Sequence, residues 1–83
     1  MSDKVKHIIN DLLEELFRMR CVTLDMQAKK QTKSAEYCMY VGMLRGLWSS
    51  LFTIWNHYPE AAILISDRVE EMEEKIRKLY PDD

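Results

Sequence analysis

Residues 27–36 read Gln-Ala-Lys-Lys-Gln-Thr-Lys-Ser-Ala-Glu, and the fold turns on how they are taken. No Gly or Pro occurs before Gly42, so nothing obvious interrupts a helix through this stretch. It is polar throughout, and Thr32 or Ser34 can cap a new helix. One uninterrupted helix would leave the aromatic residues that follow exposed in a monomer. A turn near 31–34 is therefore the expectation, with a single long helix as the alternative.

On the N-terminal side, Val5, Ile8, Ile9, Leu12, Leu13, Leu16 and Phe17 recur at i, i+3, i+4, i+7. This predicts a helix over about 3–31, capped by Ser2 or Asp3. The stripe is wide enough to meet two neighbours. Glu14–Arg18 and Asp25–Lys29 are i,i+4 pairs of the stabilising order on its wet face.

On the C-terminal side, residues 34–57 are apolar nearly all round, which predicts a helix placed centrally. A third helix is expected over about 59–80. Pro59 stands at its first position, and Tyr80–Pro81 closes it. Ala62, Ile65, Val69, Met72, Ile76 and Leu79 keep a 3-4-3-4-3 spacing, a narrow coiled-coil seam flanked by Glu71–Lys75, Glu73–Arg77 and Glu74–Lys78. The expected fold is all-α: a long antiparallel hairpin plus a third amphipathic helix, one domain over residues 1–83, dimerising because the second helix has more apolar surface than two neighbours cover.

Composition narrows the class. With 83 residues, 47% hydrophobic and 31% charged, the chain is too apolar for disorder. Two Gly leave little material for hairpin turns. The N-terminus lacks the apolar run of a signal peptide. In the apolar window 37–55, the Val, Leu, Ile and Phe residues contribute roughly −3 kcal/mol to membrane insertion and Arg45 costs roughly +3. A buried helix is expected, not a membrane span, in a cytoplasmic protein. Two cysteines suit a reducing compartment. In a hairpin, Cys21 and Cys38 are offset along the axis by roughly 7.5 Å, so free thiols are expected rather than a bridge.

Net charge is −2, unevenly spread. Arg18, Arg20, Lys29, Lys30 and Lys33 face only Asp25 over residues 16–33, while acids dominate both ends of the chain. Arg18, Lys29, Lys30 and Lys33 are a candidate patch for an acidic partner or a phosphate backbone; the alternative is a solvated turn. No aromatic residue is interleaved with the lysines.

Gly42-Met-Leu-Arg-Gly46 is a GxxxG, extended by Ser49, Ser50 and Thr53. On a helix these small residues form a groove for close approach, either to a partner or within the chain. With Ile65, Val69, Met72 and Ile76 they are the candidate helix–helix and oligomer interface. The seam is expected to dock on the hairpin with a component spanning a second subunit. Trp48, Phe52, Trp55 and Tyr58 stand at i, i+4, i+7, i+10. They are core in one reading and partner anchors in the other, since Trp and Tyr dominate interface hot spots.

No catalytic signature is present: no GxSxG, no phosphate-binding GxxxxGK[ST] and no HExxH. Arg18, Arg20 and Arg45 are not fixed around a common pocket by anything in the pattern. His7–Asp11 has no second ligand pair, and no clustered Cys and His suggests zinc. Neither a catalytic nor a metal site is expected, and no cofactor. The function expected is that of a non-enzymatic interaction module: a small regulator, adaptor or inhibitor that binds a larger protein, of the kind phages and bacteria encode. The alternatives are a nucleic-acid-associated protein using residues 18–33 and a structural assembly subunit.

Overall fold

The computed structural model describes residues 2–81. It comprises three helices: α1 (Asp3–Ala28), α2 (Ala35–His57) and α3 (Ala61–Leu79). The residues at 27–36 make a turn, so the chain forms a hairpin. Ser2 Oγ accepts from the Val5 N–H at 3.3 Å and starts α1. Ser34 Oγ accepts from the Tyr37 N–H at 3.1 Å and starts α2. It also donates to the Gln31 carbonyl at 2.9 Å, tying the cap to the turn before it.

Helix α1 stops at Ala28, three residues short of the expected 31, and the reason is local. The N–H of Gln31 reaches back to the Met26 carbonyl at 2.8 Å, and that of Lys30 to Gln27 at 3.0 Å. This is a Schellman motif, which needs a left-handed residue just past the helix. Lys30 takes that position with φ 59°, where glycine is usual. A short bridge from Gln27 Nε2 to Tyr37 Oη, 2.9 Å, joins the two helices beside the turn.

At the other corner, Ala61 and Ala62 N–H groups bond to Tyr58 and Pro59 carbonyls. These i,i+3 bonds make a tight first turn, so α3 proper begins at Ala61, two residues after the expected Pro59. Helix α3 then runs alongside α1 in the same direction. Arg20 meets Glu73 at 3.2 and 3.3 Å, and Tyr80 Oη donates to Asp25 at 2.7 Å and to the Cys21 carbonyl at 3.3 Å.

The core joins Ile9, Leu13 and Leu16 of α1, Leu51 of α2, and Ala61, Ile65, Met72 and Ile76 of α3. The central helix is therefore α1, not α2 as its hydrophobicity suggests. Helix α1 packs on both others and buries Met19, Thr23 and Met26 as well. Leu51 is the buried residue of α2. The buried line of α3 is Ala61, Ile65, Met72 and Ile76. Val69 is half-buried against it, and the outer ends of the expected seam, Ala62 and Leu79, lie outside the buried set. The seam is thus spent within the chain. Among the ion pairs, Arg18 meets Glu15 rather than Glu14, and Glu73 turns to Arg20 rather than to Arg77. Among the described residues no helix is long and apolar enough to cross a membrane.

Candidate protein-interaction surfaces

Helix α2 turns Leu44, Leu47 and Leu51 inward, at i, i+3, i+7. A 3.6-residue period then forces Gly42, Gly46, Ser49 and Thr53 to the opposite side. All four are exposed. A Cβ built on Gly42 or Gly46 meets nothing within 4 Å, so the intrachain reading of the GxxxG fails: no helix of this chain crosses there. Two hydroxyls on this side are already used. Ser50 donates to the Gly46 carbonyl and Thr53 to the Ser49 carbonyl, each at 2.9 Å. Such back-bonding satisfies the hydroxyl within its own helix and leaves its carbon side outward. Met39 and Met43 flank the stripe, 54% and 42% exposed.

On one flank of α2 lies the aromatic row. Trp48 and Phe52 rings stand 6.3 Å apart at 36°, and Phe52 and Trp55 6.3 Å apart at 30°. Both are tilted arrangements in the range of favourable aromatic pairs. With Leu51 of α2 and Ile65, Ser66 and Val69 of α3, these rings line a groove of about 180 Å³ between the two helices. The row divides. Trp48 is half-buried, whereas Phe52 is 57% exposed, Trp55 39% and Tyr58 41%. The choice between core and anchor therefore has a mixed answer: the row is seated on the core and presents its far side to solvent.

A larger hollow of about 390 Å³ separates α1 from α3, lined by Asn10, Leu13, Glu14, Phe17, Arg68, Glu71, Met72 and Lys75. Two acids and two bases on its wall make it polar and electrically mixed. No Cys, His or hydroxyl side chain lines it. Sequence reading did not find it, because its walls come from positions about 55 residues apart.

The basic patch does not assemble as expected. Lys29, Lys30 and Lys33 are exposed at the α1–α2 turn. Arg18 lies 11 residues back along α1, roughly 16 Å of helix rise away, and is paired with Glu15. What remains is a three-lysine turn. Arg20 is held by Glu73, with its Nε buried and unpartnered, and is a strut between α1 and α3. Arg18, Arg20 and Arg45 do not share a pocket.

The thiols of Cys21 and Cys38 are free. Cys38 is exposed on the outward side of α2. Cys21 is half-buried, and burial foremost, helped by the Asp25 carboxylate and opposed by Arg20, pushes its thiol pKa up. A raised pKa lowers the thiolate fraction that carries reactivity. The Tyr80 phenol, donating to Asp25, has its pKa pushed up to about 12; the hydrogen bond is the largest cause, with desolvation next. Among the described residues no three His, Cys, Asp or Glu side chains gather as a metal site would require.

Compared with protein-family models, with curated proteins and with solved structures, the chain matches none.

Proposed function

We propose that the protein is a non-enzymatic interaction module, a small regulator, adaptor or inhibitor that acts by seating part of a larger protein in the α2–α3 groove. The observation that carries this reading is the row Trp48, Phe52 and Trp55, anchored on the core at one edge and open to solvent along the other. Rigid aromatic side chains lose little entropy on binding and bring large apolar area, which is why they recur as interface anchors. A groove between two roughly antiparallel helices suits an amphipathic helix laid along it, with apolar anchors at i, i+3 and i+4.

Affinity capture with the intact chain and with a Phe52→Ala/Trp55→Ala variant tests this. The expected result is a protein retained in stoichiometric amount by the first and lost with the second, while circular dichroism shows equal helicity. Quenching or blue-shift of tryptophan emission on mixing with the purified partner would place it at the groove. Identical retention by both chains removes the reading.

A further inference from the structure

The hollow between α1 and α3 is walled by one face of each helix, Asn10 to Phe17 on α1 and Arg68 to Lys75 on α3, both rows spaced i, i+3, i+4, i+7. Its floor is apolar: Leu13 and Met72 are buried, and Phe17 is half-buried. Its rim is charged: Glu14, Arg68, Glu71 and Lys75 are exposed. The Arg20–Glu73 and Asp25–Tyr80 contacts set the register of the two parallel helices, at separations of 53 and 55 residues. Glu14 therefore stands level with Arg68 across the hollow.

Opposite charges so placed would close on one another if nothing belonged between them. Among the described residues, however, Glu14 and Arg68 form no ion pair, and neither do Glu71 and Lys75, the i,i+4 pair expected along α3. Both signs are left facing about 390 Å³ of open space above an apolar floor. That volume lies within the range of small-molecule sites, about 300–1,000 Å³. We propose that the hollow binds a free α-amino acid with an apolar side chain, its ammonium at Glu14, its carboxylate at Arg68 and its side chain on Leu13, Phe17 and Met72.

The mixed rim selects this chemistry. A simple anion would meet Glu14 and Glu71 as well as the two bases, and a simple cation would meet Arg68 and Lys75 as well as the two acids. A zwitterion presents each sign to its opposite. The planar guanidinium of Arg68 suits a carboxylate, which it can take through two parallel N–H groups. The half-buried Asn10 amide offers both a donor and an acceptor beside them. The hollow lies on the flank of α3 away from Ser66 and Val69, so this inference goes beyond the groove reading and does not depend on it.

Titration of the full chain with L-phenylalanine, followed by NMR at the Asn10 side-chain amide and the Met72 methyl, tests this. Saturable shifts at both are expected. 3-Phenylpropionate, which lacks the ammonium, and 2-phenylethylamine, which lacks the carboxylate, should each bind roughly tenfold more weakly, the usual cost of one hydrogen bond to a charged group. Glu14→Gln should weaken phenylalanine by a similar factor and leave 3-phenylpropionate unchanged. Arg68→Gln should weaken phenylalanine and leave 2-phenylethylamine unchanged. Both side chains are exposed, so circular dichroism should show native helicity in each variant. Phe52→Ala/Trp55→Ala should bind phenylalanine as the wild type does, so failure of the groove reading and failure of this one are separable. Absence of a saturable shift up to the solubility of phenylalanine overturns the proposal. So does equal binding of all three compounds, or a Glu14→Gln/Arg68→Gln double variant that binds phenylalanine undiminished.

Discussion

Helix α2 is the more hydrophobic of the two hairpin arms, yet α1 holds the core. Helix α1 buries Ile9, Leu13, Leu16, Met19, Thr23 and Met26, while α2 buries Leu51. The difference is one of arrangement, not of amount. Charges at Lys4, Asp11, Glu14 and Arg18 fix one side of α1 in water and leave a single orientation for its stripe. Helix α2 has no such side. A helix apolar all round can bury one line and must show the rest, so its hydrophobicity measures what is left uncovered.

The sharpest way to break that comparison is truncation. Leu16, with no exposed surface, and Phe52, more than half exposed, are both large apolar residues on facing arms. Leu16→Ala should cost about 2–5 kcal/mol in urea denaturation, enough to threaten the fold of so small a domain, and Phe52→Ala under about 1 kcal/mol. Equal losses would mean that α2 contributes to the monomer core as α1 does.

A smaller effect probes what else holds α1 central. Glu73→Gln removes the charge that meets Arg20 and leaves a guanidinium whose Nε already lacks a partner. Both side chains are about a third exposed, so solvent screening limits the loss to about 1 kcal/mol. Salt titration of the melting temperature should shrink the difference between variant and wild type.

The turn that separates the arms is improvable. Lys30 occupies a left-handed conformation at φ 59°. Lys30→Gly should stabilise the protein by about 0.5–1 kcal/mol, since relief of the Cβ clash outweighs the added freedom of the unfolded chain. A loss of stability would mean that the lysine side chain itself holds the turn.

The smallest expected effect concerns the far end of α1. With its pKa raised above the ordinary value of 10.0 to about 12, the Tyr80 phenol binds its proton more tightly folded than unfolded. The stabilisation from its bond to Asp25 is fully present below pH 10.0 and is lost as pH rises through about 12. Tyrosinate absorbance should show one late-titrating group, absent in Tyr80→Phe. If the Tyr80→Phe titration matches the wild type, the α1–α3 clasp is not formed.

Much of this was legible beforehand. The three helices follow from periodicity, and Ser2 and Ser34 cap where a short hydroxyl precedes an apolar repeat. The end of α1 was not, because a Schellman turn with lysine in place of glycine carries no local signal. The central place of α1 was not, because a single helix's hydrophobicity says nothing about how many neighbours exist to cover it. Arg20–Glu73 was not, because 53 residues separate the partners. Of the candidate surfaces, the aromatic row and the small-residue stripe were legible as patterns. That they fall on different sides of α2 depends on the inward line through Leu51, and which side of α3 closes the groove depends on tertiary packing.

The parallel seating of α3 on α1 has a consequence for synthesis. Helical proteins of this size usually complete their contacts locally and fold fast. Here the stripe of α1 is closed by residues more than fifty positions later, as the 55-residue separation of Asp25 and Tyr80 illustrates. At ribosomal speeds of about 5–20 residues per second, Ile9, Leu13 and Leu16 wait several seconds on the nascent chain before α3 exists to cover them. During that interval the hairpin is a candidate client for chaperones that hold exposed apolar helices, and a translational pause between α2 and α3 would lengthen its exposure.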